Sequence, residues 1–440
     1  MIPTPRRFAT AALAVTATLA ASPAFAQTPM KINAADTAWM IGATGLVLMM
    51  TIPGLALFYS GMVRKKNVLA TMAQSLAATF AVSILWAVLA YSLTFTGDGA
   101  VIGSLGRIFL HGMGLNAISA LAPTIPESLF MIYQMTFAII TVALVAGSVA
   151  DRLRFSAFML FCVLWLFIVY VPIAHWIWGG GFLQAYGTID FAGGLVVHLN
   201  AGVAGLVAAL VVGKRRGYGH DNLAPFDLSL AVIGTGLLWV GWFGFNGGSA
   251  LAASPRAAMA IVCTHLAASA GAATWMAIEW KTRGKPSVLG MISGAVAGLG
   301  TITPASGFVT PMEALLIGII AGGVCFWSCT WLKLKLGYDD SLDVFGVHGI
   351  GGLTGTFLTG VLAVGAISAS PELPDGIRGL IEGNVHLIWA QLLGIVVIAV
   401  WSGVATFGIL KVISAIVPLR VRQEDEIAGL DVSQHGEALQ

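Results

Sequence analysis

An all-α protein that crosses a lipid bilayer many times is the fold class this sequence predicts. Three observations lead there. Of 440 residues, 58% are apolar and only 10% charged, where soluble proteins carry roughly 25% charged residues. The mean hydropathy is +0.89. The apolar residues fall in long continuous runs of about 20, the length a helix needs to cross a hydrocarbon core of about 30 Å. They do not alternate as the strands of a membrane barrel would. So few charges could not cover a water-soluble surface. Lys+Arg 22 against Asp+Glu 20 gives +2, which leaves no basic field for nucleic acid. The 54 glycines show no G-X-Y period and suit close helix contacts in lipid.

Residues 1–26 read as a cleaved secretory signal. Arg6 and Arg7 form its charged start, Ala11–Ala21 its apolar stretch and Ala24-Phe25-Ala26 its cleavage site. Residues 27–416 form the membrane domain, with eleven expected spans: 37–61, 70–96, 128–149, 155–175, 189–212, 226–246, 257–280, 287–303, 312–332, 342–367 and 386–416. Residues 417–440 form a charged tail. Turn signals such as Gly97-Asp98-Gly99 and Pro304 mark the connections. Alternate loops hold 16 basic residues, from Arg64, Lys65 and Lys66 through Arg420 and Arg422. The opposite loops hold 4: Lys31, Arg107, Arg256 and Arg378. The positive-inside rule then places the mature N-terminus outside and the tail in the cytoplasm.

Cys162, Cys263, Cys325 and Cys329 all lie in apolar segments, so no disulfide framework is expected. Cys325 and Cys329, one turn apart, read as packing. No Walker A, HExxH or G-x-S-x-G motif occurs. No enzyme, cofactor or metal site is expected.

Two histidines reveal an internal repeat. His198 lies in the fifth span and His348 in the tenth, and each follows an aspartate by eight positions, Asp190 and Asp340. Five is an odd number, so the second five spans run inverted relative to the first. Eight residues of helix rise about 12 Å. Both imidazoles therefore approach the midplane, from opposite faces. Ionisable groups at that depth face a pathway or an internal partner. Desolvation favours neutral imidazoles. A neutral pair can share one N–H···N bond and offer a further donor or acceptor to a small polar solute, which suits a bare alkali cation poorly.

The sequence Asp190-Phe-Ala-Gly-Gly-Leu-Val-Val-His198-Leu-Asn-Ala-Gly-Val-Ala-Gly is very similar to a signature of the Amt/Mep/Rh ammonium transporters. Trp239-Val-Gly-Trp-Phe-Gly-Phe245-Asn-Gly-Gly-Ser249 and Asp343-Val-Phe-Gly-Val-His348-Gly resemble two further motifs of that family. The ending Gly429-Leu-Asp431-Val-Ser-Gln-His435-Gly-Glu437 resembles that of bacterial members, so the chain looks like a bacterial AmtB-type protein.

The resemblance implies a homotrimer in the inner membrane that moves ammonium, with one path per subunit. Its outer NH4+ site maps onto Phe137, Trp178 and Ser249, with Trp242 close by. Its gate phenyls map onto Phe137 and Phe245, its twin pore histidines onto His198 and His348, and its structural aspartate onto Asp190. Physical reasoning agrees: an aromatic cage attracts ammonium by cation–π interaction, and the Ser249 hydroxyl can accept an N–H bond. Asp190 reads as a cap of the fifth span and an organiser of the mouth. Tyr133 and Gln134, one turn before Phe137, could add polar groups to the vestibule. The resemblance further implies docking of a PII-type signal protein (GlnK) on the cytoplasmic face, a link to nitrogen regulation. Two other readings are an ammonium sensor that signals through its tail and an Rh-like electroneutral NH3 channel.

Overall fold

The structure is a computed structural model that describes residues 30–371 and 373–439. The expected signal segment, 1–26, lies outside them. Eleven apolar helices follow one another: α1 (Ala34–Met62), α2 (Lys65–Phe95), α3 (Glu127–Val149), α4 (Phe155–Tyr186), α5 (Gly194–Val212), α6 (Leu228–Gly247), α7 (Pro255–Arg283), α8 (Val288–Ile302), α9 (Pro311–Leu336), α10 (Phe345–Leu362) and α11 (Val385–Ile416). Ten are long and apolar enough to cross a membrane; α8 is shorter. Two isolated bridge pairings are the only β-type pairings among the described residues. The chain is an all-α, polytopic membrane protein.

Local chemistry sets the helix starts. Asn33 accepts from the N–H groups of Ala35 and Asp36 ahead of α1. Asp227 caps α6 in the same way. Ser254-Pro255 opens α7, and Thr310-Pro311 with Glu313 forms a capping box at α9. Helix α7 packs on α8 and α9, α6 on α1, α2 on α3, and α5 on α11.

Helices α5 and α10 cross at the centre through reciprocal glycines. A Cβ on Gly202 would collide with the backbone of Gly349, and a Cβ on Gly352 with the carbonyl of Gly194 and the amide of Leu199. Gly202 follows His198 by four positions and Gly352 follows His348 by four. Each half thus places a glycine one turn beyond its histidine, against the backbone next to the other histidine. This contact brings the two imidazole-bearing turns together.

Several helix boundaries differ from the sequence expectation: α4 runs on to Tyr186, α2 starts at Lys65 and α9 ends at Leu336, each beyond the expected limit, while α5 and α10 are shorter than expected. Helix α5 begins at Gly194, because the Asp190 carboxylate ties down the amides of residues 193–196 ahead of it. Helix α10 ends at Leu362, where Ala363 turns out of helical geometry.

The tail is folded against the basic loops. The Leu419 carbonyl accepts from the Arg154 amide at 2.8 Å, and the Val421 amide donates to the Arg152 carbonyl at 3.0 Å. Helices α12 (Gln423–Ala428) and α13 (Leu430–His435) follow. Buried Glu426 accepts from the Arg216 amide and from the Arg420 guanidinium, both at 2.7 Å. Buried Asp431 accepts from the Ala70 amide at 2.7 Å. Arg152, fully buried beneath the tail, donates to the carbonyls of Gly213 (2.7 Å) and Asp339 (2.6 Å) and to the Ser341 hydroxyl (2.6 Å). Burial pushes its guanidinium down to about 10. Burial would also raise the Asp339 carboxyl, but hydrogen bonds and charge from Arg215 hold it below the usual carboxylate range. Removing a buried, hydrogen-bonded charge costs about 3 kcal/mol or more. Arg152→Ala is therefore expected to lower the thermal unfolding temperature of the detergent-solubilised protein clearly. An unchanged unfolding temperature would mean that Arg152 does not hold these loops together.

Candidate functional site

A string of side chains runs through the molecular centre between two vestibules. The vestibule away from the basic loops encloses about 170 Å³ and is lined by Gln134, Phe137, Trp178, Phe191 and Ser249, among others. The Trp178 indole N–H donates to the Asp190 carbonyl at 2.8 Å and its ring meets Phe137 edge-on at 5.7 Å. The Ser249 hydroxyl donates to the Phe245 carbonyl at 2.8 Å. Its hydrogen is thereby committed to the protein, so its lone pairs remain as acceptors, the polarity a cation requires.

The vestibule floor is closed. Phe137 from α3 and Phe245 from α6 stack at 4.1 Å with 19° between their planes, and both rings are buried. Tyr133, one turn before Phe137, does not open its hydroxyl to the vestibule. It is fully buried and lies 2.9 Å from the Phe245 carbonyl and 3.3 Å from Ser249 Oγ, bracing α3 against α6. Gln134 does line the vestibule, and its Oε1 has no protein partner.

Beneath the phenyls lie the histidines. Nδ1 of His198 is 3.2 Å from Nδ1 of His348, with 13° between the ring planes. Among the described residues no other hydrogen bond reaches either ring, so with both imidazoles neutral the shared bond has one Nδ1 as donor and the other as acceptor. It follows from the tautomers that one Nε2 is then a bare acceptor and the other an N–H donor. Nε2 of His198 is buried with no protein partner. The space beside the pair is about 10 Å³ and is walled by Leu55, Val197, Trp242, Phe245 and Val296. Both histidines sit in wide π-type turns, Gly194–Leu199 and Phe345–Gly349, a distortion frequent at functional sites. On the side of the basic loops a second vestibule of about 280 Å³ reaches His348 and carries Arg215, Glu279 and Asp343 in its wall.

Asp190 does not face the vestibule. Its two oxygens accept four amide N–H groups, from Gly193 (2.8 Å), Gly194 (2.7 Å), Leu195 (2.7 Å) and Val196 (3.1 Å). Asp340 repeats one of these bonds in the other half: its Oδ2 accepts from the amide five residues on, Phe345, at 2.7 Å, as Asp190 Oδ2 does from Leu195. Trp242 departs from the expected position. It is not part of the vestibule wall but stacks on His198 at 5.5 Å and donates to the Thr303 hydroxyl at 2.9 Å, below the phenyl pair. Seven residues separate it from Ser249, about 10 Å of helix rise, so its depth follows from its place on α6. Thr303 and the paired glycines Gly202 and Gly352 went unseen in the sequence. The shared H-x-x-x-G spacing could have revealed the glycines. Among the described residues no three His, Cys, Asp or Glu side chains converge as metal ligands.

The model of the Ammonium Transporter Family matches residues 38–439. The chain belongs to this family. The transporter is 48% identical to an ammonium transporter of Bacillus subtilis over 404 residues, covering 91% of this chain and 97% of the relative. It is 45% identical to one of Aquifex aeolicus over 409 residues, covering 92% and 93%. Among solved structures it resembles Candida albicans Mep2, with a TM-score of 0.83 and 37% identity, covering 90% of this chain and 88% of that one. It also resembles a sensor Amt protein, with a TM-score of 0.82 and 28% identity, covering 91% and 98%. Transport of ammonium is thus the activity this family membership assigns to the transporter.

Proposed function

We propose that the protein recruits NH4+ at Phe137, Trp178 and Ser249, takes its proton near the Phe137–Phe245 pair, and passes NH3 along His198 and His348 while the proton crosses separately. The observation that carries this reading is the 3.2 Å contact between the two Nδ1 atoms in a gap walled by apolar side chains. An unpaired charge is costly at that depth, whereas NH3 can both accept from and donate to the two Nε2 positions. Trp242 serves the pore in this scheme by lying flat on His198, not by binding the incoming ion.

The basic loops and the tail are cytoplasmic in this reading, by the positive-inside rule, and α8 makes the eleventh crossing. Residues 1–26 are a cleaved signal, and the mature N-terminus lies outside a bacterial inner membrane. The protein assembles as a homotrimer. The folded tail, with Glu426 and Asp431 buried in the loop face, offers a formed surface for a PII-type signal protein such as GlnK. A sensor role is favoured by one observation, the likeness to the sensor Amt protein. Uptake of methylammonium by cells, with and without residues 418–440, separates transport from sensing. An electroneutral NH3 channel would raise internal pH without ammonium-evoked current, and parallel recording of both in proteoliposomes distinguishes it.

The outer site has its own test. A cation–π contact is worth about 0.5–2 kcal/mol, so Trp178→Leu should raise the half-saturating methylammonium concentration by about 2- to 30-fold. Ser249→Ala should raise it by a smaller factor. Half-saturation unchanged in both variants would remove the vestibule from substrate recruitment.

A further inference from the structure

Arg256 stands at the start of α7, on the same side as the vestibule formed by Phe137 and Trp178. Its guanidinium carbon lies 4.8 Å from the centre of the Phe191 ring and 4.7 Å from that of Phe308. The two rings meet edge to face at 5.6 Å. Nε donates to the Gly307 carbonyl at 2.8 Å. Phe191 is shared: one side holds the guanidinium, and the ring also forms part of the vestibule wall.

What the guanidinium lacks is a counter-ion. Arg107 pairs with Glu127 at 2.9 Å, and Arg378 with Asp375 at 2.6 Å. Among the described residues no carboxylate lies within 4.0 Å of Arg256. Three acids at helix ends on this side of the molecule are committed elsewhere. Asp36 accepts from the Ala253 amide at 2.8 Å, Asp190 holds its four amides, and Glu313 caps α9. The side chain is a fixed, uncompensated cation on the rim of a mouth that collects cations.

We infer that Arg256 is a charge filter: it raises the energy of every cation in the vestibule in proportion to that cation's charge, and so favours monovalent ammonium over divalent metal ions. The inference rests on the reading of Phe137, Trp178 and Ser249 as the recruitment site. The physics is Coulombic. At a separation of about 10 Å, in surroundings close to water, one unit charge changes the occupancy of a monovalent ion by about two- to fourfold. For a divalent ion the interaction energy doubles, so the factor is squared, to about 4- to 16-fold. Raising the ionic strength shortens the Debye length from about 30 Å at 0.01 M to about 3 Å at 1 M and abolishes both effects.

The experiment uses the full chain in proteoliposomes, with methylammonium as substrate and Mg2+ as competitor, in Arg256→Gln and Arg256→Lys. At about 0.01 M ionic strength, Arg256→Gln should lower the half-saturating methylammonium concentration two- to fourfold. It should lower the inhibitory Mg2+ concentration by about the square of that factor, and both shifts should vanish near 1 M. Arg256→Lys keeps the charge and should behave as the parent. Three results would overturn the filter: parental half-saturation in Arg256→Gln at low ionic strength, equal shifts for the two cations, or Arg256→Lys shifting as far as Arg256→Gln. The last would assign Arg256 to holding the Phe191–Phe308 stack. Failure of the recruitment site itself would show separately, as an unchanged half-saturation in Trp178→Leu.

Discussion

His198→Ala is expected to cut ammonium conduction by about tenfold to a hundredfold. The substitution removes one half of the shared N–H···N bond and leaves Nδ1 of His348 buried with no partner. An unmade hydrogen bond in such a place costs about 1–3 kcal/mol, and each 1.36 kcal/mol in a barrier is a factor of ten in rate. His348→Ala should match it, because the rings act as one unit. The double variant should fall little further than either single one, as expected for residues in direct contact. Initial rates of ammonium-evoked current and internal pH change in proteoliposomes check this. Parental rates in His198→Ala would take the histidines out of the mechanism.

The second large effect concerns folding. Asp190→Ala should yield almost no folded transporter. Four amide donors, those of Gly193, Gly194, Leu195 and Val196, would lose their acceptor at once in a buried turn. At about 1–3 kcal/mol for each unmet donor, the sum rivals the 5–15 kcal/mol by which whole proteins are stable. Asp190→Asn keeps one acceptor oxygen and points an N–H2 group at the remaining amides, so it should be intermediate. Size-exclusion profiles of detergent extracts measure the folded fraction. A monodisperse Asp190→Ala protein with parental transport would show that the carboxylate does not organise this turn.

Much of the architecture was legible because a bilayer leaves a chain few choices. Continuous apolar runs mark the spans, and basic residues mark alternate loops. The matched pairs Asp190–His198 and Asp340–His348 betrayed the repeat, and the rings do meet. Phe137 and Phe245 stack, and Trp178 and Ser249 share one vestibule with Phe137. Other features depend on packing that spacing does not report. Trp242 lies at the level of His198 and not at the mouth, since it sits back along α6 from the turn beyond the helix that carries Ser249. The Tyr133 hydroxyl turns to the backbone of α6, because that helix passes within hydrogen-bond reach of it. The charges of the tail give no sign in the sequence that Glu426 and Asp431 are buried, bonded to residues more than 200 positions away. The glycine contacts between α5 and α10 depend on the crossing itself.

The central claim is that the substrate must give up its proton to pass the histidines. Potassium tests it most directly. It is close to ammonium in size and charge and is attracted by the same aromatic faces, but it has no proton to lose. Currents should be recorded from the same proteoliposomes under equal gradients of ammonium and potassium. The account predicts transport with ammonium and none above protein-free liposomes with potassium; potassium moving at a comparable rate would contradict it.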